Sequence, residues 1–157
     1  MVDVRNIFWV KKKFANEIHT EYYFNNSIWG KIKKKAKTEK NLVWYIMTPV
    51  NYEYFRHYFG TRLPKEKLDK IMSTRAKWLA KNTKIGLHIH FWRFGRMTFS
   101  EKDRMFKEAI SWGKKNSIDF DKFVPGWMQQ HHDIEKLCKK YNLKLSKKKI
   151  FLHDYEL

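Results

Sequence analysis

The sequence predicts an α/β fold, built on a mostly parallel sheet or a partial (β/α) barrel. Three observations predict it. From residue 42 onward, short apolar runs alternate with longer stretches of helical periodicity. The connections between them are short, which favours parallel strands joined by crossover helices. The chain of 157 residues, 43% hydrophobic and 17% aromatic, has enough mass and apolar surface to bury a core as a single domain.

The elements follow in order. Asn6–Val10 reads as a strand and Phe14–Trp29 as a helix carrying Glu17, His19 and Glu21, with basic Lys31–Lys40 as a connector; residues 1–41 carry the weakest pattern in the chain. Leu42–Met47 is a buried strand ending at Thr48-Pro49, followed by a short helix around Tyr52–Tyr58 that Gly60 breaks. Pro64 suits the first turn of a helix over 64–82, whose apolar face comprises Leu68, Ile71, Met72, Trp78 and Leu79. Lys84–Trp92 is a strand with Ile85, Leu87, Ile89 and Phe91 on one face and Gly86, His88, His90 and Trp92 on the other. Ser100-Glu-Lys-Asp103 has the form of a capping box opening a helix over 100–113 that Gly113 stops. A strand at 121–124 leads into Pro125-Gly126-Trp127; a helix at 131–142 carries the stripe Ile134, Leu137, Cys138, Tyr141; a last strand at 149–153 precedes Asp154-Tyr-Glu-Leu157.

Composition narrows the function classes. No stretch approaches the ~20 apolar residues of a membrane span, and the N-terminus lacks the charged-then-apolar order of a secretory signal. The single cysteine, Cys138, excludes an internal disulfide and a cysteine-rich zinc site, so a cytoplasmic setting is expected. Thirty-four basic residues against 16 acidic ones give a net charge of +18, which attracts nucleic acid and other polyanions non-specifically. The basic set contains only seven arginines, so bidentate base readout is a minor theme. The sequence does not fix an oligomeric state.

In parallel α/β folds, chemistry gathers beyond the C-terminal strand ends. Those ends here carry Thr48 and Asn51, His88 and His90, Trp127, then His153 and Asp154. Histidines at i and i+2 of a strand project to one side, ~6–7 Å apart at the backbone. His88 and His90 therefore form a candidate metal pair, suited to zinc, with cobalt or manganese as alternatives.

The ordered set resembles the polysaccharide deacetylase family, the NodB-homology carbohydrate esterases, in a divergent and shortened form. Val43–Thr48 resembles the strand after the family's aspartate pair. Ile85-Gly-Leu-His-Ile-His90 resembles its histidine motif, Phe123–Trp127 its strand-end proline motif, and Ile150–Asp154 its late histidine motif. The resemblance implies a (β/α)7 barrel and metal-dependent removal of acetyl groups from a carbohydrate, with His88 as ligand and His153 as general acid. The family's aspartate pair has no counterpart in Asn6–Lys11, and the position four after His88 is Trp92, so His90 stands in as the second histidine. The missing acid is sought among Glu17, Glu21, Glu53 and Asp154, with Asp154 first because it follows the strand-end histidine. Asn51, Trp92, Trp127 and Tyr155 are expected to bind substrate, the aromatics by stacking on sugar rings.

Two other readings fit the same residues. One is an endonuclease for single-stranded DNA, with His88-Ile-His90 on a strand and Tyr141 as nucleophile. The other is a carbohydrate-binding relative without catalysis.

Overall fold

The computed structural model describes residues 15–91, 97–128, 132–148 and 150–157. Its strands are β1 (Glu17–Thr20), β2 (Val43–Ile46), β3 (Lys84–Ile89), β4 (Lys122–Pro125), β5 (Lys144–Leu145) and β6 (Leu152–His153). Its helices are α1 (Asn26–Thr38), α2 (Tyr52–Phe59), α3 (Lys65–Asn82), α4 (Phe99–Lys115) and α5 (His132–Lys140). The strands form one sheet in the order β5-β4-β3-β2-β1-β6, and every pairing is parallel. The expected α/β class and parallel sheet are therefore present. Among the described residues no helix is long and apolar enough to cross a membrane.

Register sorts the side chains into two layers. Ile18, Trp44 and Ile85 are paired partners, as are Thr20, Ile46 and Leu87, and Leu87 pairs in turn with Phe123. This layer joins Leu68, Met72, Leu79, Phe106 and Leu137 from the helices in the buried core. The opposite layer is polar: Glu17, then His19 level with Tyr45, Gly86 and His153, then His88 level with Val124. In a flat sheet that face would meet water. Here Glu17, His19 and His88 are all buried.

Curvature accounts for the burial. Ser146, directly after edge strand β5, lies with its hydroxyl oxygen 2.8 and 2.9 Å from the two carboxylate oxygens of Glu17 on β1. Four strand spacings, ~19 Å in a flat sheet, separate β5 from β1. The sheet must therefore curl until its polar face encloses an interior. Past Ser146, Lys148 lies 3.8 Å from Glu17, and Phe151 stacks on His19 at 3.9 Å and 4°. Among the described residues the pairing ladder stays open while the shape approaches a barrel.

The first 41 residues differ from expectation. Residues Glu17–Thr20 are a buried strand, not part of a helix over 14–29, and the helix begins at Asn26, where the Asn25 side chain caps Ser27 and Ile28. Lys31–Lys40 is mostly helix as well, not a connector: Ile32 and Ala36 supply the buried stripe, and lysine costs a helix little on the solvent face. The expected strand at Asn6–Val10 lies outside the described residues. The α4 capping box is Thr98 with Glu101, two residues before the expected Ser100. Gly113 does not stop α4, which runs on to Lys115; a Cβ there would crowd the Phe120 ring. The two-residue β5 was not foreseen, because two residues carry no periodicity. The last strand is only Leu152–His153, preceded by exposed Ile150.

Candidate metal and carbohydrate site

The site is built where β1, β3, β4 and β6 end. Glu21 follows β1, and its Oε1 lies 3.2 Å from His88 Nε2 and 2.9 Å from His90 Nε2. The two histidine Nε2 atoms are 3.1 Å apart, which closes a triangle. His153 Nε2 approaches the same Glu21 oxygen at 3.5 Å. His19, Glu21 and His88 also present donor atoms that all lie within 4.8 Å of one another.

Hydrogen-bond logic fixes where protons sit. His88 Nδ1 is 2.9 Å from the Val124 carbonyl, which can only accept, so Nδ1 carries the proton. His88 Nε2, on the other side of the ring, faces Glu21 Oε1 at 3.2 Å. Burial, with His88 and His153 nearby, pushes the His90 pKa down to about 4 despite the Glu21 hydrogen bond, so His90 is neutral at pH 7. Burial works to raise the Glu21 pKa, but hydrogen bonds with His88 and His90 outweigh it and hold the carboxyl well below its usual range. The triangle thus sets one carboxylate oxygen against the Nε2 atoms of two buried imidazoles.

That donor set passes a fit test for a divalent cation. Donors on a tetrahedral zinc, at bond lengths of ~2.0–2.1 Å, stand ~3.3 Å apart. The triangle edges of 2.9–3.2 Å and the His153 approach of 3.5 Å lie close to that spacing. A histidine ligand commonly donates its second ring N–H to a backbone carbonyl, as His88 does to Val124. His19 Nε2 is buried without a hydrogen-bond partner among the described residues, and burial pushes its pKa down to about 2, so a further neutral imidazole stands beside the cluster.

Neighbours hold the ring and carboxylate orientations. The Tyr54 hydroxyl donates to Glu21 Oε2 at 3.0 Å, and burial plus the Glu21 charge keep that phenol protonated. The Tyr54 ring also stacks on His90 at 4.2 Å and 17°. Gly126 lies against the His90 ring, which a Cβ at that position would overlap.

The expected site residues are distributed unevenly. His88, His90 and His153 converge as anticipated. Asp154 is fully buried and accepts from the Tyr22 N–H at 2.8 Å, and burial lifts its pKa to about 8; the acid that faces the histidines is Glu21. Asn51, expected to face substrate, is instead 1% exposed, its amide engaged with the His90 backbone at 2.7 and 3.4 Å; it fixes the end of β3. Trp92 lies outside the described residues. Glu17 sits deeper in the interior with Ser146, and Glu53 pairs with Arg56 on the surface. Tyr141 donates to Asp103 at 2.8 Å and stacks on Phe106. Trp127 and Tyr155 are both exposed at the mouth: Trp127 meets His90 edge-on at 4.9 Å, and Tyr155 stacks on His153 at 4.8 Å. Sequence reasoning missed His19, Tyr54 and the central place of Glu21. The alternation Glu17-x-His19-x-Glu21 was the available signal, since it has the same two-residue rhythm as His88-x-His90.

Fold and site together describe a curled parallel α/β sheet with a carboxylate–imidazole cluster at its C-terminal strand ends. No protein-family model and no curated protein matches the chain. A solved structure is similar in fold: a wild-type pseudoenzyme of the CE4 family from Bacillus anthracis, with a TM-score of 0.56 and 8% identity over 88% of this chain. The match spans 43% of that neighbour's length.

Proposed function

We propose that this protein holds a divalent metal, zinc first, on Glu21, His88 and His90, and that the site acts on an acetylated carbohydrate as a deacetylase of low turnover. The observation that carries the reading is the triangle of Glu21 Oε1, His88 Nε2 and His90 Nε2, with sides of 2.9–3.2 Å. A bound ion of this kind polarises an acyl carbonyl and lowers the pKa of its water. Glu21 supplies the charge, and Tyr54 fixes its orientation. His153, 26% exposed with Nδ1 3.2 Å from Glu156, is placed to carry a proton to a leaving amine or alkoxide. Tyr58, Trp127 and Tyr155 are three of the five exposed large apolar side chains among the described residues, and they cluster at this mouth as stacking faces for sugar rings.

Low turnover follows from a shortage of carboxylates. Among the described residues, Glu21 would serve as a ligand and Asp154, its pKa lifted to about 8 by burial, accepts from a backbone N–H, so neither carboxyl group would be free to take a proton from a bound water. The pseudoenzyme character of the structural neighbour supports a weakened site.

The experiment is zinc titration by calorimetry, together with acetate release from acetylated sugar oligomers in zinc, cobalt or manganese. Wild type is expected to take one zinc and turn over slowly. His88→Ala/His90→Ala should lose the zinc, and Glu21→Gln should bind it ~10–100-fold more weakly. Unchanged zinc stoichiometry in the double variant, or turnover that survives His88→Ala, rejects the reading. Glycan binding with zinc but no acetate release would leave a carbohydrate-binding relative.

A further inference from the structure

A second concave surface lies outside the histidine cluster, on the outer faces of α1 and α3. It encloses about 570 Å³ and is lined by Trp29 and Lys33 from α1 and by Lys67, Lys70, Arg75 and Trp78 from α3, among others. Helical spacing produces it: 29 and 33 share one face of α1, while 67, 70, 74 and 78 share one face of α3. The two indoles meet edge to face at 5.4 Å and 83°. Each is partly exposed, where an outer helix face ordinarily carries polar side chains.

The charges divide by role. Arg75 is occupied, donating to the Tyr23 and Asn25 carbonyls at 2.8 and 3.1 Å, and so ties the start of α1 to α3. Lys33 stands 5.9 Å from the Trp29 ring, and Lys67 and Lys70 are exposed. Among the described residues the lining contains no carboxylate. A groove that combines cations with two partly exposed indoles fits a polyanion that also carries flat rings. Single-stranded nucleic acid has that chemistry, with phosphates for the lysines and bases for the indoles. The +18 charge of the whole chain would speed the encounter without choosing the place.

We propose that the α1–α3 groove binds single-stranded nucleic acid, with Lys33, Lys67 and Lys70 on the backbone and Trp29 and Trp78 beneath the bases. This site is separate from the histidine cluster and independent of the metal.

The test is fluorescence anisotropy of a labelled oligothymidylate of about 12 nucleotides, within the span of known single-strand sites, titrated with full-length protein across a salt series. Removing two phosphate contacts with Lys67→Ala/Lys70→Ala should lower the slope of log K against log salt by about 1.4, at ~0.7 per contact. Lys136→Ala/Lys139→Ala, two exposed lysines of α5, serves as the charge-matched control and should leave the slope less affected. An abasic oligomer of equal length, offered to the unaltered protein, should bind at least about fivefold more weakly with the same salt slope, because only stacking is removed. Equal affinity for abasic and base-bearing oligomers would reduce the groove to non-specific charge and overturn the proposal. So would equal slope losses in the two lysine pairs.

Discussion

A carboxyl group taken out of water keeps its proton to higher pH, and Asp154 is fully buried beside the ionised Glu21. Burial is the larger cause of a pKa raised to about 8, opposed by backbone N–H groups including that of Tyr22. The consequence for stability has a definite sign. Between the ordinary value of 3.8 and about 8, the folded protein holds a proton that the unfolded chain has lost, so this group's contribution falls as pH rises through that window. His19 and His90 act in the opposite direction: their folded pKa values, about 2 and about 4, lie below 6.5, so their contribution is lost as pH drops. The diagnostic is therefore a difference between two proteins. Asp154→Asn keeps an acceptor for Tyr22 and removes the titration. Chemical denaturation of metal-free protein should show the variant gaining on wild type from pH 5 to pH 8, by at most ~1.4 kcal/mol per unit. Parallel stability profiles would show that Asp154 titrates normally.

At the scale of elements, the site depends on how closely the strand ends approach one another. His90 lies just past β3 and reaches Glu21 only because the turn after β4 has no side chain at Gly126. Gly126→Ala should displace the imidazole and weaken zinc binding at least ~10-fold, with an overpacking cost of ~1–3 kcal/mol in stability. Calorimetry and a denaturant melt read the two effects separately, and unchanged zinc affinity would remove His90 from the ligand set. Elements were legible where periodicity was long. The 18-residue α3 and the six-residue β3 match their expected ranges to within a few residues, because many positions repeat one pattern. β1 was not legible: four residues, all buried and three of them polar, resemble neither an alternating strand nor an apolar run. Hydrogen bonding within the polar interior makes Glu17 and His19 acceptable there, and no local pattern reports it.

At the scale of the whole molecule, the curled sheet is latched by the Ser146 hydroxyl on buried Glu17, assisted by Lys148 at 3.8 Å. Ser146→Ala withdraws a donor from a buried carboxylate. It should cost ~1–3 kcal/mol, measured as a lower denaturation midpoint, while zinc affinity at the far end of the interior stays unchanged. A midpoint equal to wild type would mean that the sheet edges are held by other contacts.

The sequence by itself determined what local repetition can encode. Most of the order of strands and helices from residue 42 onward, the parallel sheet, the placement of His88 and His90 on one side of a strand, and the position of His153 at a late strand end are all properties of short windows. Only the tertiary structure decided which acid meets those histidines. Glu21 follows β1 and His88 belongs to β3, with β2 between them, so two strand spacings of ~4.8 Å each separate their backbones. Side chains across that gap come to 3.2 Å because the sheet curves and turns its polar face inward. Curvature is a sum over all six strands and the segment that latches their edges, and no single window of sequence contains it.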